Sequence, residues 1–421
     1  MIKNFFMPPE SNMGKTYIWT MMAGVLYAGS SFLMSLITTN HLGEAAAGIL
    51  ALALSIGNQL VTVGYYNIRT FQVSDVLEKY SFGEYCSLRI LTITAMIISG
   101  IIWILIGGYS GEKLAAIILM IFFKVGEAIS DLLEGRYQQK GRYDVSCRGV
   151  FVKTLLYLMG FIIALFLTDS LLCAIAVLGI VYMISIFMID SKLIGSFGGI
   201  HISFNWENQI RLILAGLPLF VNAFLTTYIL NASKYSIDKY YTSEYLGVFN
   251  ALYMMAFVIN MFASFMLKPM ISTMADKYNG GEQNGFVKLI RRQGVVIAGV
   301  TVICVAGGYL LGVQVLSLLF GIDLYPYRYE LCLMLIGGAF TAVYQLLQYA
   351  IVIMRHQYSC LAGCGITALL TLWFNPILTR KYGIRGGALS YLTSMTVMSV
   401  CFFIFLLYYL KKDKEQENRT E

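Results

Sequence analysis

The sequence predicts an all-α polytopic membrane protein, with about twelve transmembrane helices in two six-helix lobes related by a pseudo-two-fold axis along the membrane normal. Three observations carry this. Of 421 residues, 58% are hydrophobic and only 13% are charged, and mean hydropathy is +0.70; soluble domains carry about 25% charged residues. Apolar windows of about 20 residues, enough to cross a hydrocarbon core of roughly 30 Å as a helix, recur twelve times, without the period-2 alternation of a porin-like barrel. Finally, Lys and Arg are distributed unevenly between alternate connecting segments.

In chain order the expected spans are 17–38, 45–66, 88–108, 114–133, 150–168, 170–190, 211–232, 246–268, 294–313, 330–354, 359–376 and 386–409. Residues 1–14 contain Pro8, Pro9 and Glu10 and no small-residue cleavage site, so the first span reads as a retained helix and not a signal peptide. With a cytoplasmic N-terminus, inner segments hold 22 Lys and Arg and outer segments hold seven, while Lys124 lies inside the fourth span. This bias places both termini in the cytoplasm. The net charge of +7 is then mainly an orientation signal, and no nucleic-acid partner is expected.

The expected lobes are 1–200 and 201–410, followed by a cytoplasmic tail, 411–421, whose Lys411, Lys412 and Lys414 read as a solvated charge run. The longer inner loops are 67–87, 134–149, 191–210 and 269–293. Leu42-Gly43 with Ala47 recurs as Leu246-Gly247 with Ala251, an offset of 204 residues, close to half the length.

Several chemistries find no footing. The eight cysteines sit mostly in apolar segments, Cys360 and Cys364 on one helix, and read as buried thiols without zinc-ligand spacing. His41, His201 and His356 form no cluster. Gly14-Lys15-Thr16 imitates the end of a phosphate-binding loop, but Pro9 stands where its first glycine belongs. Outer loops too short for a catalytic domain count against a membrane glycosyltransferase or polymerase, so no enzyme and no cofactor are expected.

Two regions carry candidate function. On the fourth span Lys124, Glu127, Asp131 and Glu134 are spaced 3, 4 and 3 residues apart, which puts them on one helix face. A charge at mid-bilayer costs roughly 2.5–3.5 kcal/mol on insertion scales. Two readings stand: a Lys124–Glu127 pair with the lower acids in cytoplasmic water, or an ion or proton coupling site at Glu127 and Asp131. The seventh span presents Asn222, Asn231 and Lys234, with Asp238 and Lys239 beyond. Gly216 and Pro218 predict a kink with freed carbonyls, suited to gating. Lys234 either meets substrate or snorkels to the outer interface, neutralised by Asp238. Asn250, Asn260, Gln345 and Gln348 are interhelical hydrogen-bond candidates. The tyrosines near span ends, such as Tyr240 and Tyr408, suggest interfacial belts, with sugar stacking as a further role.

Three stretches resemble one family. Tyr65-Tyr66-Asn67-Ile68-Arg69-Thr70-Phe71-Gln72-Val73-Ser74-Asp75 follows the second span. Glu134-Gly135-Arg136-Tyr137-Gln138 with Gly141-Arg142-Tyr143-Asp144 follows the fourth. Asn375-Pro376-Ile377-Leu378 with Tyr382-Gly383-Ile384-Arg385-Gly386-Gly387-Ala388 lies at the last helix junction. Together they resemble the Wzx-type polysaccharide repeat-unit flippases, O-antigen and capsule transporters of the MATE-like MOP exporter superfamily. The resemblance implies a bacterial plasma-membrane flippase that carries oligosaccharide on undecaprenyl diphosphate from the cytoplasmic to the outer leaflet by alternating access. Its partners would be that lipid-linked oligosaccharide, membrane lipids and polysaccharide polymerase machinery. H+, Na+ or the membrane potential could drive it. The available diphosphate ligands are Lys234, Lys239, Arg69 and Lys124, since the first two spans lack the mid-membrane arginines of lipid II flippases and their two extra C-terminal helices are missing. The alternative of the same architecture, a cation-coupled multidrug antiporter, would need acids deep in the cavity, and the first span has none between Trp19 and Leu36.

Overall fold

The computed structural model describes residues 5–7, 13–267 and 270–420, and these contain helices and no strand. Lys3, Pro8, Pro9, Glu10 and Lys268, used in the leader and orientation arguments, lie outside the described residues. Helices of crossing length appear at each expected span: α1 Met13–Leu42, α2 Glu44–Tyr65, α3 Phe82–Gly107, α4 Gly111–Gln139, α5 Tyr143–Thr168 and α6 Leu171–Ser185. They continue as α7 Trp206–Tyr240, α8 Ser243–Leu267, α9 Gln283–Gly307 and α10 Arg328–Ile353, and the segment Gln357–Thr420 breaks at Gly383 into α11 and α12. α6 and α9 run on past their ends through π-helical turns, Ile186–Asp190 and Gly308–Gly312.

Local sequence sets the ends. Ser81 opens α3 with a capping box: its side chain accepts from the Glu84 amide and the Glu84 carboxylate accepts from the Ser81 amide at 2.7 Å, so two orphan donors are met. Gly43, at φ +86°, makes the one-residue turn between α1 and α2. Its supposed counterpart Gly247 lies inside α8, so the Leu-Gly recurrence joins structurally different places and gives no support to an internal repeat.

The chain divides into two compact units, Met1–Thr227 and Tyr228–Glu421, the division falling within α7. In the first unit α2 is the central helix. Its Gly57 and Gly64 lie against Met120 and Lys124 of α4 and Met96 of α3, and small residues there let the backbones approach. α1 packs on α5, and α5 on α6. In the second unit α10 packs against α8 and against the α11–α12 pair. The outward faces are apolar: Leu105, Ile106 and Leu318 are among the exposed residues, as suits helices whose outer surface meets lipid.

Two of the expected loops contain short helices, and the solvated charge run of the tail continues the last helix. The 67–87 segment contains a helix, Ile68–Ser74, and the 269–293 segment contains another, Met270–Asn279. The tail from Lys411 is a continuation of α12 to Thr420, tied down where Tyr278 Oη donates to Asp413 Oδ2 at 2.7 Å and Gln283 Nε2 to the Leu410 carbonyl at 3.1 Å. The sequence pattern missed it because a polar helix anchored at one end shows no apolar window.

The α11–α12 junction is tight. Gly383 holds φ +59°, and a Cβ on Gly386 would stand 2.0 Å from the Leu378 carbonyl oxygen. Gly386→Ala is therefore expected to destabilise the second unit by more than the about 1–3 kcal/mol of ordinary overpacking, since a backbone atom must yield. Thermal unfolding of the purified variant in detergent checks this, with Gly365→Ala, where a Cβ meets nothing within 4 Å, as the control.

Candidate functional site

The polar face of α4 is the centre of the first unit. Lys124 Nζ meets Glu127 Oε2 at 2.6 Å, both side chains about 5% exposed, and Tyr27 Oη donates to Glu127 Oε1 at 3.2 Å. The expected internal pair is present. Asp131 and Glu134, however, do not rest in open water. Asp131 accepts from Arg89 Nη2 at 2.7 Å and Arg69 Nη1 at 3.1 Å. Glu134 accepts from Arg69 Nη1 at 3.2 Å, Lys153 Nζ at 3.1 Å and Ser130 Oγ at 2.8 Å. Lys153 also reaches Asp190 Oδ2 at 3.1 Å, and Tyr137 Oη donates to Asp190 Oδ1 at 2.9 Å.

Four cations, Lys124, Arg69, Arg89 and Lys153, thus meet four anions, Glu127, Asp131, Glu134 and Asp190. Each charge has an opposite partner, which is how a low-dielectric interior accommodates ions. Backbone geometry delivers them. Tyr66 and Asn67 take left-handed conformations, φ 47° and 52°, and fold the Ile68–Ser74 helix back so that Arg69 faces α4. The π turn ending α6 brings Asp190 to Lys153, a usual role for π-bulges at special sites. Arg136 and Lys140 hold Glu78 at the surface; the hydrogen bond from Lys140 is the first cause that keeps its carboxyl below the ordinary range, aided by the Arg136 charge at 3.0 Å.

Two adjoining pockets open beside this face. One, of about 440 Å³, is lined by Tyr65, Asn67, Arg69, Thr70, Asp131 and Gln138 among others. The other, of about 290 Å³, adds Tyr27, Glu127, Ser130, Glu134 and Tyr182 to Tyr65, Arg69 and Asp131. Sequence reasoning put Lys124, Glu127, Asp131 and Glu134 on this face and named Arg69 only as an available diphosphate ligand; it missed Arg89, Lys153, Asp190 and Tyr27. Lys153 and Arg89 are two of the 22 inner-segment charges counted in the sequence. Their signal was position: Lys153 follows Val150-Phe-Val, and Asp190 ends the apolar run Ile186-Phe-Met-Ile.

The α7 candidates separate. Its first part packs within the first unit: Tyr66 stacks on Phe220 at 4.6 Å, Tyr66 Oη donates to the Ile213 carbonyl, and Gln59 Nε2 to the Phe224 carbonyl at 3.0 Å. Asn222 lies on this part, with a buried Oδ1 that has no hydrogen-bond donor among the described residues. α7 runs through Pro218 as one helix, and the proline leaves the Leu214 carbonyl without its helical donor.

In the second unit Lys234 is 7% exposed, with Nζ 4.3 Å from the Tyr253 ring centroid. The expected neutralising pair with Asp238 is not formed, and among the described residues Lys234 makes no ion pair; it does not snorkel. Asp238 and Asn231 have interactions of their own. Lys239 is exposed beside Tyr240. Asn375, from the last resemblance stretch, fixes this part of α7: its Nδ2 donates to the Ala232 carbonyl and Ser236 Oγ, both at 2.8 Å, while its Oδ1 accepts from Ser390 at 2.6 Å. The clamp grips α7 on either side of Lys234.

No protein-family model and no curated protein sequence matches the chain. Solved structures do. A multidrug resistance MATE family transporter of the MOP superfamily, inward-facing, matches with TM-score 0.75 and 13% identity over 96% of this chain and 99% of its own. The lipid II flippase MurJ, inward closed, matches with TM-score 0.72 and 13% identity over 94% and 87%. A MOP superfamily transporter from Pyrococcus furiosus matches with TM-score 0.60 and 15% identity over 94% and 95%. At these identities the likeness is one of fold: the chain has the multi-pass fold shared by MATE transporters and a lipid flippase.

Proposed function

We propose that the chain is a flippase that moves undecaprenyl-diphosphate-linked oligosaccharide repeat units from the cytoplasmic to the outer leaflet by alternating access, for surface polysaccharide assembly. Lys234 carries this reading. A buried ammonium without a carboxylate is costly, and a diphosphate is the counter-ion that this cargo would bring. Arg69 and Lys124, by contrast, already meet carboxylates. The three resemblance stretches and the fold support the same reading. In it, 1–200 and 201–410 are the lobes, 411–421 is the cytoplasmic tail, and the charge bias orients both termini to the cytoplasm of a bacterial plasma membrane. Asn222, Asn231 and Lys239 would contact substrate, Glu127, Asp131 and Asp238 would serve H+ or Na+ coupling, and Pro218 would be a gating point.

A second reading, a cation-coupled multidrug antiporter, is favoured by one observation: three carboxylates, Glu127, Asp131 and Glu134, line the first-unit cavity beside tyrosines. Deleting the gene separates the two. The flippase reading expects loss of surface polysaccharide, accumulation of its lipid-linked precursor and unchanged dye efflux. Intact polysaccharide with lost dye efflux would establish the antiporter.

A further inference from the structure

We infer that the first-unit cavity beside α4 is a subsite for uncharged saccharide, selecting hydroxyl-bearing neutral sugars over phosphate or uronate groups. This rests on the flippase reading and assigns a part of the cargo to a place within it.

Hydrogen-bond capacity on the cavity wall decides the matter. Arg69 is the cation that lines the cavity, and its terminal nitrogens are spent: Nη1 donates to Asp131 and Glu134, Nη2 to Gln138 and Ser146. Tyr27 spends its hydroxyl on Glu127. Acceptors, however, remain. A carboxylate offers about four lone-pair sites; Glu127 accepts from Tyr27 and Lys124, and Asp131 from Arg69 and Arg89. Each keeps capacity for further donors.

The wall therefore keeps no uncommitted cation among its described lining residues; besides carboxylate acceptors it offers the neutral donors of Tyr65, Asn67 and Gln138. Hydroxyls, which both donate and accept, suit such a wall, whereas a phosphate or uronate group finds no free cation and faces the carboxylates of Glu127, Asp131 and Glu134. Charge gives the same answer. Lys124, Arg89 and Lys153 stand behind the carboxylates and complete a balanced set of four cations and four anions, so no net field draws an anion in. The rings of Tyr27 and Tyr65 supply apolar faces for the C–H side of a pyranose. The pockets, about 440 and 290 Å³, fall at the lower end of the size range of small-ligand sites.

The test places a reporter at Thr70, which is exposed and lines the larger pocket. Thr70→Cys is made in the full chain with Cys173→Ser, which removes the exposed native thiol, and is reacted with a polar maleimide in nanodiscs. Modification at position 70 is read by peptide mass. The probes are a set of neutral trisaccharides, the corresponding uronate trisaccharides, sodium pyrophosphate and tetraphenylphosphonium. A neutral trisaccharide is expected to slow labelling about tenfold at saturation, with pyrophosphate and uronates leaving the rate unchanged. Tyr65→Ala in the same background, checked for a single folded species by size exclusion, should remove the protection. Protection by pyrophosphate or uronate overturns the inference and leaves the flippase reading standing. Protection by tetraphenylphosphonium alone overturns both and favours the antiporter. Labelling that no probe slows also overturns the inference, and the gene deletion then decides the flippase reading by itself.

Discussion

Replacing Lys153 by Met is expected to destabilise the protein by about 3–5 kcal/mol, the cost of breaking a buried ion pair from one side. Lys153 is fully enclosed, and it separates Glu134 from Asp190 with a contact of 3.1 Å to each. Without the ammonium, two buried carboxylates share one space: among the described residues Asp190 keeps only Tyr137 as a donor, and Glu134 depends on Arg69 and Ser130. Thermal unfolding in detergent and the amount of protein in the membrane fraction should both fall. The ion-pair explanation makes a second demand. Adding Glu134→Gln and Asp190→Asn to Lys153→Met removes the stranded charges, and should recover much of the loss, because neutral isosteres of a buried pair are often as stable as the pair itself. A triple variant no more stable than Lys153→Met would mean that Lys153 acts through packing alone.

The same residue shows where the sequence was readable. Helix positions followed from apolar windows of the right length: among the described residues a helix lies at each of the twelve windows, and nine helices are both long and apolar enough to cross a membrane. The α4 face followed from spacing, since residues three and four apart share a helix face whatever surrounds them. What lay out of reach was pairing across helices. Lys153 on α5 finds Asp190 after α6, and Arg89 on α3 finds Asp131 on α4, through packing that no local spacing encodes. Lys153 and Arg89, counted among the inner-segment charges, have a second role besides any bias on orientation: they neutralise a buried acid cluster. One of the two readings of Lys234, the surface pair with Asp238, failed in the opposite direction. An i,i+4 carboxylate suggested a local pair with Asp238, but the Asn375 clamp and the Tyr253 ring fix Lys234 elsewhere.

Lys234→Met is expected to make the protein more stable and at the same time inactive. Taking an ammonium out of water costs several kcal/mol after relaxation, and a desolvated ring face returns about 2 kcal/mol of it. The Tyr253 contact at 4.3 Å therefore leaves a deficit, since Lys234 makes no ion pair among the described residues. A thioether of similar length fills the same space beside Tyr253 without that deficit, so a gain of about 1–3 kcal/mol is expected. If the deficit exists to be met by a diphosphate during transport, the gain comes with loss of surface polysaccharide, the usual exchange between stability and a strained functional group. Lys234→Arg should retain partial transport, because it keeps the charge but changes donor geometry and volume. Thermal unfolding in detergent and polysaccharide at the cell surface are measured on the same strains. A Lys234→Met protein that is less stable than wild type and still exports polysaccharide would remove Lys234 from the proposed mechanism.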